Sequence, residues 1–548
     1  MSAAPTFDAE VRDAVAQRHD LTDTVLGSLM IAFDGLALPA AVEERLTTTP
    51  TAGVTLFRFS NVADPAQIRA LTAAIQAAAG TPLPLLIAAD QEGGQLIGLG
   101  EGTTPFAGNM ALGAAGDPAL VERVWRAMGL ELRALGVNVN YGPVCDLATN
   151  PANPAIGIRS FGDDPDAVGG LAAAAVRGLQ SAGVAAALKH FPGIGDAGAD
   201  SHHELPLLGA DRDALNEREL KPFRAGIAAG ARVVMSAHLA VPALTGDPGL
   251  PSTLAPAVMD ALLRGELGFA GVSITDALDM GAIAQGSNQV LDVLAALRAG
   301  VDLLLTAPDP DARGRIEAGL RHAAARGLVD GSAARASTAR VRELREWLSG
   351  FDQPGLDVVR SAAHVALARD LAARAVTLVR DDDRLLPLAL EPTDRIAAIM
   401  PIPSDLTPAD TSSTVAPGLA AALRAHHPAV DEIVVAHTPS PDEIAAIRER
   451  VRDHRLIVVG TTAAFTALAQ AQLVEALLSV GRPVVTVALR TPFDLAAYPA
   501  SRVHASSYGL LQPSLEALGA SLFGKAGFPG RLPAAVPGLY PTGHGLVR

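Results

Sequence analysis

Eight short apolar runs, each about the length of a β-strand, are spaced along the first 350 residues and alternate with helical patterns. The runs cover residues 27–33, 53–59, 83–89, 136–144, 183–188, 232–238, 271–275 and 301–306. The segments between them have helical periodicity, and several begin with Pro or Asp; they include 65–79, 118–135, 165–181, 211–229 and 254–267. Eight strand–helix units of this size predict an α/β fold, a TIM-type (β/α)8 barrel.

A second α/β unit is predicted to follow the barrel. Six further apolar runs, at 376–379, 396–400, 433–436, 456–459, 484–489 and 503–506, again alternate with helical patterns. That number is typical of an open parallel α/β sandwich. A turn-forming segment begins after Ser349, so we assign residues 1–350 to a catalytic barrel, 351–372 to a linker and 373–548 to the α/β sandwich domain.

The charge and apolar patterning of the chain exclude two classes of partner. The formal net charge is −15 and the pI is near 5.3, so a nucleic-acid partner is not expected. No apolar stretch has the length of a membrane span. The first residues lack the basic and apolar regions of a signal peptide, and Cys145 is the single cysteine, so we expect a cytoplasmic protein without an intramolecular disulfide.

Polar side chains lie at the ends of most of the predicted barrel strands. They are Asp34, Asp90, Asp146, Lys189 with His190, His238 and Asp276. In a (β/α)8 barrel the catalytic groups lie at the carboxyl ends of the strands, so these side chains are expected to converge there. Lys189 is one of only three lysines in the chain and begins the densest polar segment, 189–204. We therefore expect the active site around this segment.

Five segments carry a resemblance to a known family. They are 90–94 (DQEGG), 153–162 (NPAIGIRSFG), 189–193 (KHFPG), 200–202 (DSH) and 271–278 (GVSITDAL). In this order they resemble the signature of glycoside hydrolase family 3, and more specifically its β-N-acetylglucosaminidase branch. Segments 385–387 and 483–490 are similar to the two-domain members of that family.

The resemblance implies a retaining exo-β-N-acetylglucosaminidase, an enzyme of the β-N-acetylhexosaminidase type that acts on a small carbohydrate substrate without a cofactor. It implies that Asp276 is the nucleophile and that Asp200 and His202 form an acid/base dyad. Four side chains would hold the sugar: Asp90, Arg159, Lys189 and His190. The resemblance leaves open whether the substrate is a chitin fragment, a peptidoglycan fragment or another glycoconjugate.

The chemistry of the residue types supports these roles independently. A retaining glycosidase needs a carboxylate to attack the anomeric carbon and a proton donor for the leaving oxygen, roughly 5 to 5.5 Å apart. A short side chain at a strand end, such as Asp276, is rigidly placed. His202 can give and take a proton near neutrality, with Asp200 orienting the imidazole. Because glycines occupy positions 193, 195 and 198, we expect this loop to close over bound substrate.

Other functions fit part of the same pattern. A neutral imidazole does not repel an anion, so inorganic phosphate could replace water as the acceptor and yield a β-sugar 1-phosphate. Activity on β-glucosides as well as β-N-acetylglucosaminides is another alternative. A metal-dependent barrel hydrolase would use carboxylates and imidazoles of the same segment as ligands, namely His190, Asp196, Asp200, His202 and His203. A catalytically silent sugar-binding protein would have lost the nucleophile or the dyad.

Four further side chains receive structural interpretations. We expect Asp146 to be the partner of a neighbouring loop, His203 to be a spectator and Cys145 to be buried. His238 is expected to form hydrogen bonds within the barrel.

The chain also departs from the family pattern near the expected sugar site. Gln95 and Gly98 stand where the acetylglucosaminidase branch commonly has arginines, and Ile194 stands where a second histidine is usual. Thr275, Asp276 and Ala277 replace a commoner Ser-Asp-Asp. These departures predict altered hydrogen bonding to the sugar hydroxyls.

Overall fold

The protein is described by a computed structural model in which residues 20–547 are placed. Eight parallel strands form the first sheet, in sequence order around a barrel. Their bounds are Leu29–Ile31, Gly53–Thr55, Leu86–Ala89, Val139–Asn140, Ala185–Phe191, Val233–Ser236, Val272–Thr275 and Leu304–Leu305. The eighth strand pairs with the first, and a parallel bridge between Ile274 and Leu303 closes the ring. The predicted (β/α)8 barrel is confirmed.

Aspartate and proline start four of the barrel helices in the same way. The helices Pro65–Ala79, Pro118–Ala134, Pro165–Ser181 and Pro310–Ala325 each follow an Asp whose carboxylate accepts two backbone N–H groups of the first turn. Proline suits the first helical position because its missing N–H has no partner there and its φ is already helical. These Asp-Pro pairs are the reason that the sequence marks the helix starts so well.

The remaining helices of the barrel surround the sheet. They are Ala40–Thr48, Arg58–Asn61, Asn109–Ala115, Arg212–Ala214, Leu220–Ala228, Pro242–Thr245, Gln289–Ala299 and Gly331–Ser349, with π-helical turns at Leu215–Glu219 and Ala257–Glu266 and short 3₁₀ turns at Gly157–Arg159, Ser252–Leu254 and Gly286–Asn288. Helix Gly331–Ser349 packs Val341, Leu344 and Leu348 against the inward-facing strand residues. No helix within residues 20–547 combines the length and apolarity needed to cross a membrane.

The second sheet has six strands and is mixed. The strands are Thr377–Asp381, Ile396–Pro401, Val430–Val435, Leu456–Thr461, Val484–Ala488 and Val503–Ser506, and in space they follow the order first, sixth, fifth, fourth, second, third. Five run parallel, whereas the first lies antiparallel to the sixth at one edge. The open α/β sandwich is confirmed, but the expectation of a wholly parallel sheet is wrong at this edge strand.

Helices of the second sheet cover both of its faces and contact the barrel. They are Ala362–Ala375, Leu419–Arg424, Pro441–Arg450, Leu468–Leu478 and Gln512–Leu522, with 3₁₀ turns at Leu356–Val358, Ser412–Thr414 and Pro492–Ala497. Helix Ala362–Ala375 begins inside the predicted linker and packs against the barrel helix Asn109–Ala115. Phe493 and Tyr508 join the buried cluster of the barrel. The domain limits at 350 and 372 stay predictions.

Candidate active site

Strand periodicity places three of the expected site residues on the inner wall of the barrel. Leu86 and Ala88 of the third strand, Ala185 and Ala187 of the fifth, and Val272 and Ile274 of the seventh all belong to the inner cluster. Side chains alternate across a strand, so the next inward positions are Asp90, Lys189 and Asp276. All three therefore stand at the carboxyl end of the barrel interior, where barrel enzymes place their catalytic groups.

Lys189 and Arg159 form a buried charge cluster with two carboxylates. The Lys189 Nζ lies 2.6 Å from Asp90 Oδ1 and 2.6 Å from Glu92 Oε1. Arg159 binds both oxygens of Glu92, with Nε 2.9 Å from Oε2 and Nη2 2.8 Å from Oε1. Each buried cation thus has a carboxylate partner, which is the condition for keeping charge in a protein interior.

Glu92 and Lys189 are held in their charged forms by their partners. Burial raises the pKa of Glu92, but Arg159 and Lys189 outweigh it and bring the pKa to about 2. Burial lowers the pKa of Lys189, but its carboxylate partners outweigh this and leave the pKa above its ordinary value. The Asp90 side chain is 25% exposed whereas that of Lys189 is 2% exposed. Asp90 is therefore the member of this pair that is open to a ligand.

His190 is fixed from behind by Asp146. The Asp146 carboxylate is fully buried, with Oδ2 2.7 Å from His190 Nδ1 and Oδ1 accepting the Ile194 N–H at 2.9 Å. The other ring nitrogen, Nε2, lies 3.4 Å from Arg159 Nη2. Asp146 thus binds the neighbouring loop as expected, and it also orients the imidazole.

Asp276 follows the seventh strand and its charge is favoured by its surroundings. One oxygen, Oδ1, accepts the Ala277 N–H at 2.8 Å. Burial raises the pKa of Asp276, but the imidazoles of His190 and His238 outweigh it, so the pKa lies below its ordinary value. An ionised, half-buried carboxylate at a strand end has the properties of a nucleophile.

Asp200 and His202 form a hydrogen-bonded pair on the loop after the fifth strand. Asp200 Oδ1 lies 2.6 Å from His202 Nδ1 and also accepts the His202 backbone N–H at 3.0 Å. Burial lowers the pKa of His202, but the Asp200 carboxylate outweighs this and raises the pKa above its ordinary value. The pair can therefore carry a proton at near-neutral pH.

The loop that carries this pair is joined to the loop that follows Asp276. Gly281 N–H donates to His202 C=O at 3.0 Å, and Ala282 N–H donates to Ser201 C=O at 3.2 Å. A Cβ at Gly281 would lie 2.6 Å from the His203 carbonyl oxygen, so the close approach requires glycine there. We expected a loop that closes only over substrate, but in the structure the dyad is formed and its loop is bound.

Other residues singled out from the sequence lie apart from this cluster or have structural partners. His238 is buried and contacts Thr253 Oγ1 at 2.9 Å, Cys145 is buried, and His203 is exposed. Asp34 is exposed and accepts a hydrogen bond from Ser60. Within residues 20–547, no three His, Cys, Asp or Glu side chains are grouped so as to hold a metal ion. The donor set of the metal-hydrolase alternative is therefore not assembled in this part of the chain.

Glu92 is the main residue of the site that received no role from the sequence. It was seen only as part of the segment 90–94, yet it binds both Lys189 and Arg159. Its place two residues after Asp90 was the available signal, but sequence spacing does not give the distance to a side chain 67 residues away.

Comparison with known proteins identifies the family of the chain. Residues 21–344 match the family model described as the glycosyl hydrolase family 3 N terminal domain. The chain belongs to glycoside hydrolase family 3. It is 32% identical to β-hexosaminidase A of Pseudoalteromonas piscicida over 559 aligned positions, covering 91% of each chain.

Two further relatives cover the chain to different extents. A β-hexosaminidase of Stenotrophomonas maltophilia is 41% identical over 283 residues, which are 50% of this chain and 82% of that protein. The solved structure of a family 3 β-N-acetylglucosaminidase from Paenibacillus sp. FPU-7 has a TM-score of 0.87 and 34% identity, covering 94% of this chain and 99% of the other. The two-domain architecture is thus shared with known family 3 structures.

Three of the departures from the family 3 pattern have structural reasons. A Cβ at Gly98 would lie 2.2 Å from the Asp90 carbonyl oxygen, so the backbone has no room for a side chain there. Ile194 is buried, and its N–H donates to Asp146. Gln95 does not face the charge cluster; its side chain contacts Ala409 and Arg490 of the second domain. Ile194 therefore serves packing and Gln95 serves interdomain contact, whereas close backbone approach explains Gly98.

Proposed function

We propose that this protein is a retaining exo-β-N-acetylglucosaminidase. One observation carries the proposal: the loop of Asp276 and the loop of Asp200 and His202 are hydrogen-bonded to each other at the carboxyl end of the barrel. This brings a carboxylate and a proton-carrying imidazole to one site, as a double-displacement glycosidase requires. The names of the β-hexosaminidase and β-N-acetylglucosaminidase relatives support N-acetylglucosamine as the sugar.

In the first half of the proposed reaction, an Asp276 oxygen attacks the anomeric carbon. The glycosidic bond breaks, and His202 gives its proton to the leaving oxygen, while Asp200 stabilises the imidazolium before transfer. The product is a glycosyl ester of Asp276 with a neutral His202. In the second half, His202 takes a proton from water, whose oxygen attacks the anomeric carbon and releases Asp276 as carboxylate. Two inversions give net retention.

Asp90, Arg159, Lys189 and His190 are proposed to hold the terminal sugar. Asp90 is the partly open carboxylate of the cluster, and hydrogen bonds to a carboxylate are stronger than those to a neutral oxygen. Arg159 Nη2 lies 3.4 Å from His190 Nε2, so the two side chains adjoin each other in the site. The exo action is proposed from the family resemblance, which assigns these four side chains to the terminal sugar.

The proposal is tested with aryl β-glycosides of N-acetylglucosamine, glucose, xylose and N-acetylgalactosamine. We expect the N-acetylglucosamine substrate to be cleaved with the highest kcat/KM and with retention. A slow fluorosugar is expected to label Asp276, and Asp276→Ala is expected to abolish both turnover and labelling. The exposed Asp247→Ala serves as the control. Labelling of another residue would refute the nucleophile, and activity lost on chelation would favour a metal hydrolase.

The same assay with phosphate tests the acceptor. At about 4 Å, an anion would be repelled by a carboxylate by roughly 4 kcal/mol at an effective dielectric of 20, whereas neutral His202 imposes no such cost. Acceleration by phosphate with a β-sugar 1-phosphate product would establish phosphorolysis; free sugar at an unchanged rate would establish hydrolysis. A cytoplasmic role in chitin or peptidoglycan fragment turnover stays a prediction of the sequence.

A further inference from the structure

A two-stranded hairpin connects the sugar-site carboxylates to the second domain. It follows the third barrel strand and consists of Gln91–Gly93 paired with Leu96–Ile97. Glu92 lies on its first strand, and Asp90 directly precedes it. The Gly98 N–H donates to the Asp90 C=O at 2.9 Å, so the pairing extends to Asp90 itself. Contacts that fix the position of this hairpin therefore also fix the positions of the Asp90 and Glu92 carboxylates.

The base of the hairpin is fixed by the barrel. Asn140, at the end of the fourth strand, accepts the Gln91 N–H and donates to the Gln91 C=O, both at 2.9 Å. The Gly94 N–H donates to Phe106 C=O at 2.8 Å. These contacts hold the first strand but do not reach the second strand or the side chain of Gln95.

The outer strand and the turn are fixed by the second domain. Thr411 donates its N–H to the Gln95 C=O at 2.8 Å, and its Oγ1 lies 2.9 Å from the same oxygen. The Thr411 Oγ1 also accepts the Ile97 N–H at 3.2 Å. The Gln95 side chain donates to the Ala409 C=O at 3.1 Å. The second domain thus binds the hairpin along its free edge.

Arg490 links this edge to a buried charge pair. Its Nη1 lies 2.8 Å from Asp410 Oδ2, and its Nη2 donates to Gln95 Oε1. Arg490 is 6% exposed, Asp410 1% and Gln95 8%, so the contact is shielded from water. A planar guanidinium bound to two partners has a fixed direction, which makes it a rigid support for the amide. Arg490 follows the strand Val484–Ala488, at the carboxyl edge of the second sheet.

We propose that Arg490 and Thr411 are positioning residues of the sugar site, and that they act through Gln95 on the hairpin that carries Asp90 and Glu92. The inference rests on the proposed function, because it assumes that Asp90 contacts the sugar. It assigns a role to Gln95, which departs from the family pattern, and to the second domain, whose side chains make no contact with Lys189 or Arg159 among the described hydrogen bonds.

The test uses Gln95→Met, Thr411→Val and Arg490→Met in the full chain. We expect each to raise KM about five- to ten-fold, with kcat changed less than about two-fold, since the sugar contacts are misplaced. A variant that is merely partly unfolded would lose kcat at an unchanged KM. The matched control is Arg502→Met, which removes an exposed ion pair with Asp383 elsewhere in the second domain. Thr411→Val keeps the side-chain shape and leaves the charge pair intact, so it remains informative if Arg490→Met folds poorly.

The double variant Gln95→Met/Arg490→Met tests whether Arg490 acts through Gln95. If it does, the KM of the double variant rises little above that of the worse single variant. Increases in KM that multiply would overturn the role of Gln95 as the link between Arg490 and the hairpin. Hydrogen exchange of the peptide covering 91–99 provides a readout that needs no substrate. We expect faster exchange in Thr411→Val than in the wild type.

The outcomes separate the two proposals. KM is measured on whichever aryl glycoside the wild type cleaves, so a different sugar preference refutes the substrate assignment and leaves the positioning test intact. Wild-type KM in all three variants would overturn the positioning role, even if the hairpin exchanges faster. A wild type that cleaves none of the glycosides would refute the proposed function itself.

Discussion

Asp146 Oδ2 lies 2.7 Å from His190 Nδ1, and the same carboxylate also accepts the backbone N–H groups of His190 and Ile194. A carboxylate accepts from Nδ1–H and so determines which ring nitrogen of His190 is left to face the site, namely Nε2. The relationship makes the tautomer of a sugar-site histidine depend on a residue that is fully buried.

We predict that Asp146→Asn lowers kcat/KM by about 10²-fold while the protein stays folded, because an amide can present its N–H₂ to Nδ1 and favour the wrong tautomer. Steady-state kinetics with an aryl β-N-acetylglucosaminide measures the loss. Asp34→Asn is the matched control, since Asp34 also follows a barrel strand but is exposed. Normal kinetics in Asp146→Asn would show that the contact serves only the loop.

If Asp200 and His202 form the acid/base dyad, the activity lost on mutating His202 depends on the leaving group of the substrate. His202→Ala is expected to lose most activity on poor leaving groups, which need a proton, and much less on a dinitrophenyl glycoside. His203→Ala, which changes the exposed neighbour, is expected to act like the wild type. Equal losses of His202→Ala on both substrates would contradict a general acid at this position.

The pH profile tests the role of Asp200. In the wild type, burial lowers the pKa of His202 but Asp200 raises it above its ordinary value, so the acid form persists to higher pH. Asp200→Asn removes that charge, and we expect the basic limb of kcat/KM to move to lower pH. An unchanged basic limb would assign it to another group.

Lys189 is predicted to contribute strongly to catalysis. Lys189→Ala leaves Asp90 without its buried cation, and we expect kcat/KM to fall by 10²-fold or more, on the order of 3 kcal/mol. Lys221→Ala is the control, because its ion pair with Asp166 is exposed. A nearly normal kcat/KM in Lys189→Ala would make the lysine structural.

The buried carboxyl group of Glu219 is predicted to make the stability of the protein depend on pH. It is buried beside Gly193, its Oε2 has no hydrogen-bond partner among residues 20–547, and burial raises its pKa from 4.5 to about 7 despite Arg218. The folded state then holds a proton that the unfolded state has lost, so Glu219 lowers the free energy of unfolding as the pH rises from 4.5 to about 7. The full effect is roughly 3 kcal/mol.

Denaturant unfolding of Glu219→Gln at pH 5 and pH 8 measures this effect. The variant is expected to gain stability relative to the wild type at the higher pH, because glutamine does not ionise. Glu217→Gln, exposed on the same helical segment, is expected to show no such trend. A stability difference that is equal at both pH values would contradict a buried, titrating Glu219.

Helices were predicted from the sequence better than strand ends were. Pro65–Ala79 and Pro165–Ser181 have the predicted bounds, because each start carries a local Asp-Pro signal. The run 53–59 was predicted as one strand, but the strand ends at Thr55 and a short helix begins at Arg58. There the Asn61 side chain accepts the Phe57 N–H and donates to Phe33 C=O, and neither contact has a sequence signature.

In the candidate site, the inward residues follow from period-two alternation, whereas their partners do not. Asp90 and Asp276 directly follow a strand and Lys189 lies near the end of one, so their convergence could be predicted. Glu92 and Asp146 act on residues in other strands, and Gln95 contacts Arg490, 395 positions later in the chain. Such pairings depend on tertiary structure, and the departure at Gln95 was therefore interpreted as a change in the sugar pocket.

The glycine at position 98 constrains how the specificity of this enzyme can be changed by mutation. A Cβ at that position would lie 2.2 Å from the Asp90 carbonyl oxygen. We expect a single substitution that places an arginine at position 98 to misfold the hairpin and to add no hydrogen bond to the substrate. A longer or re-registered hairpin has to come first, so directed evolution of this pocket needs insertions before substitutions.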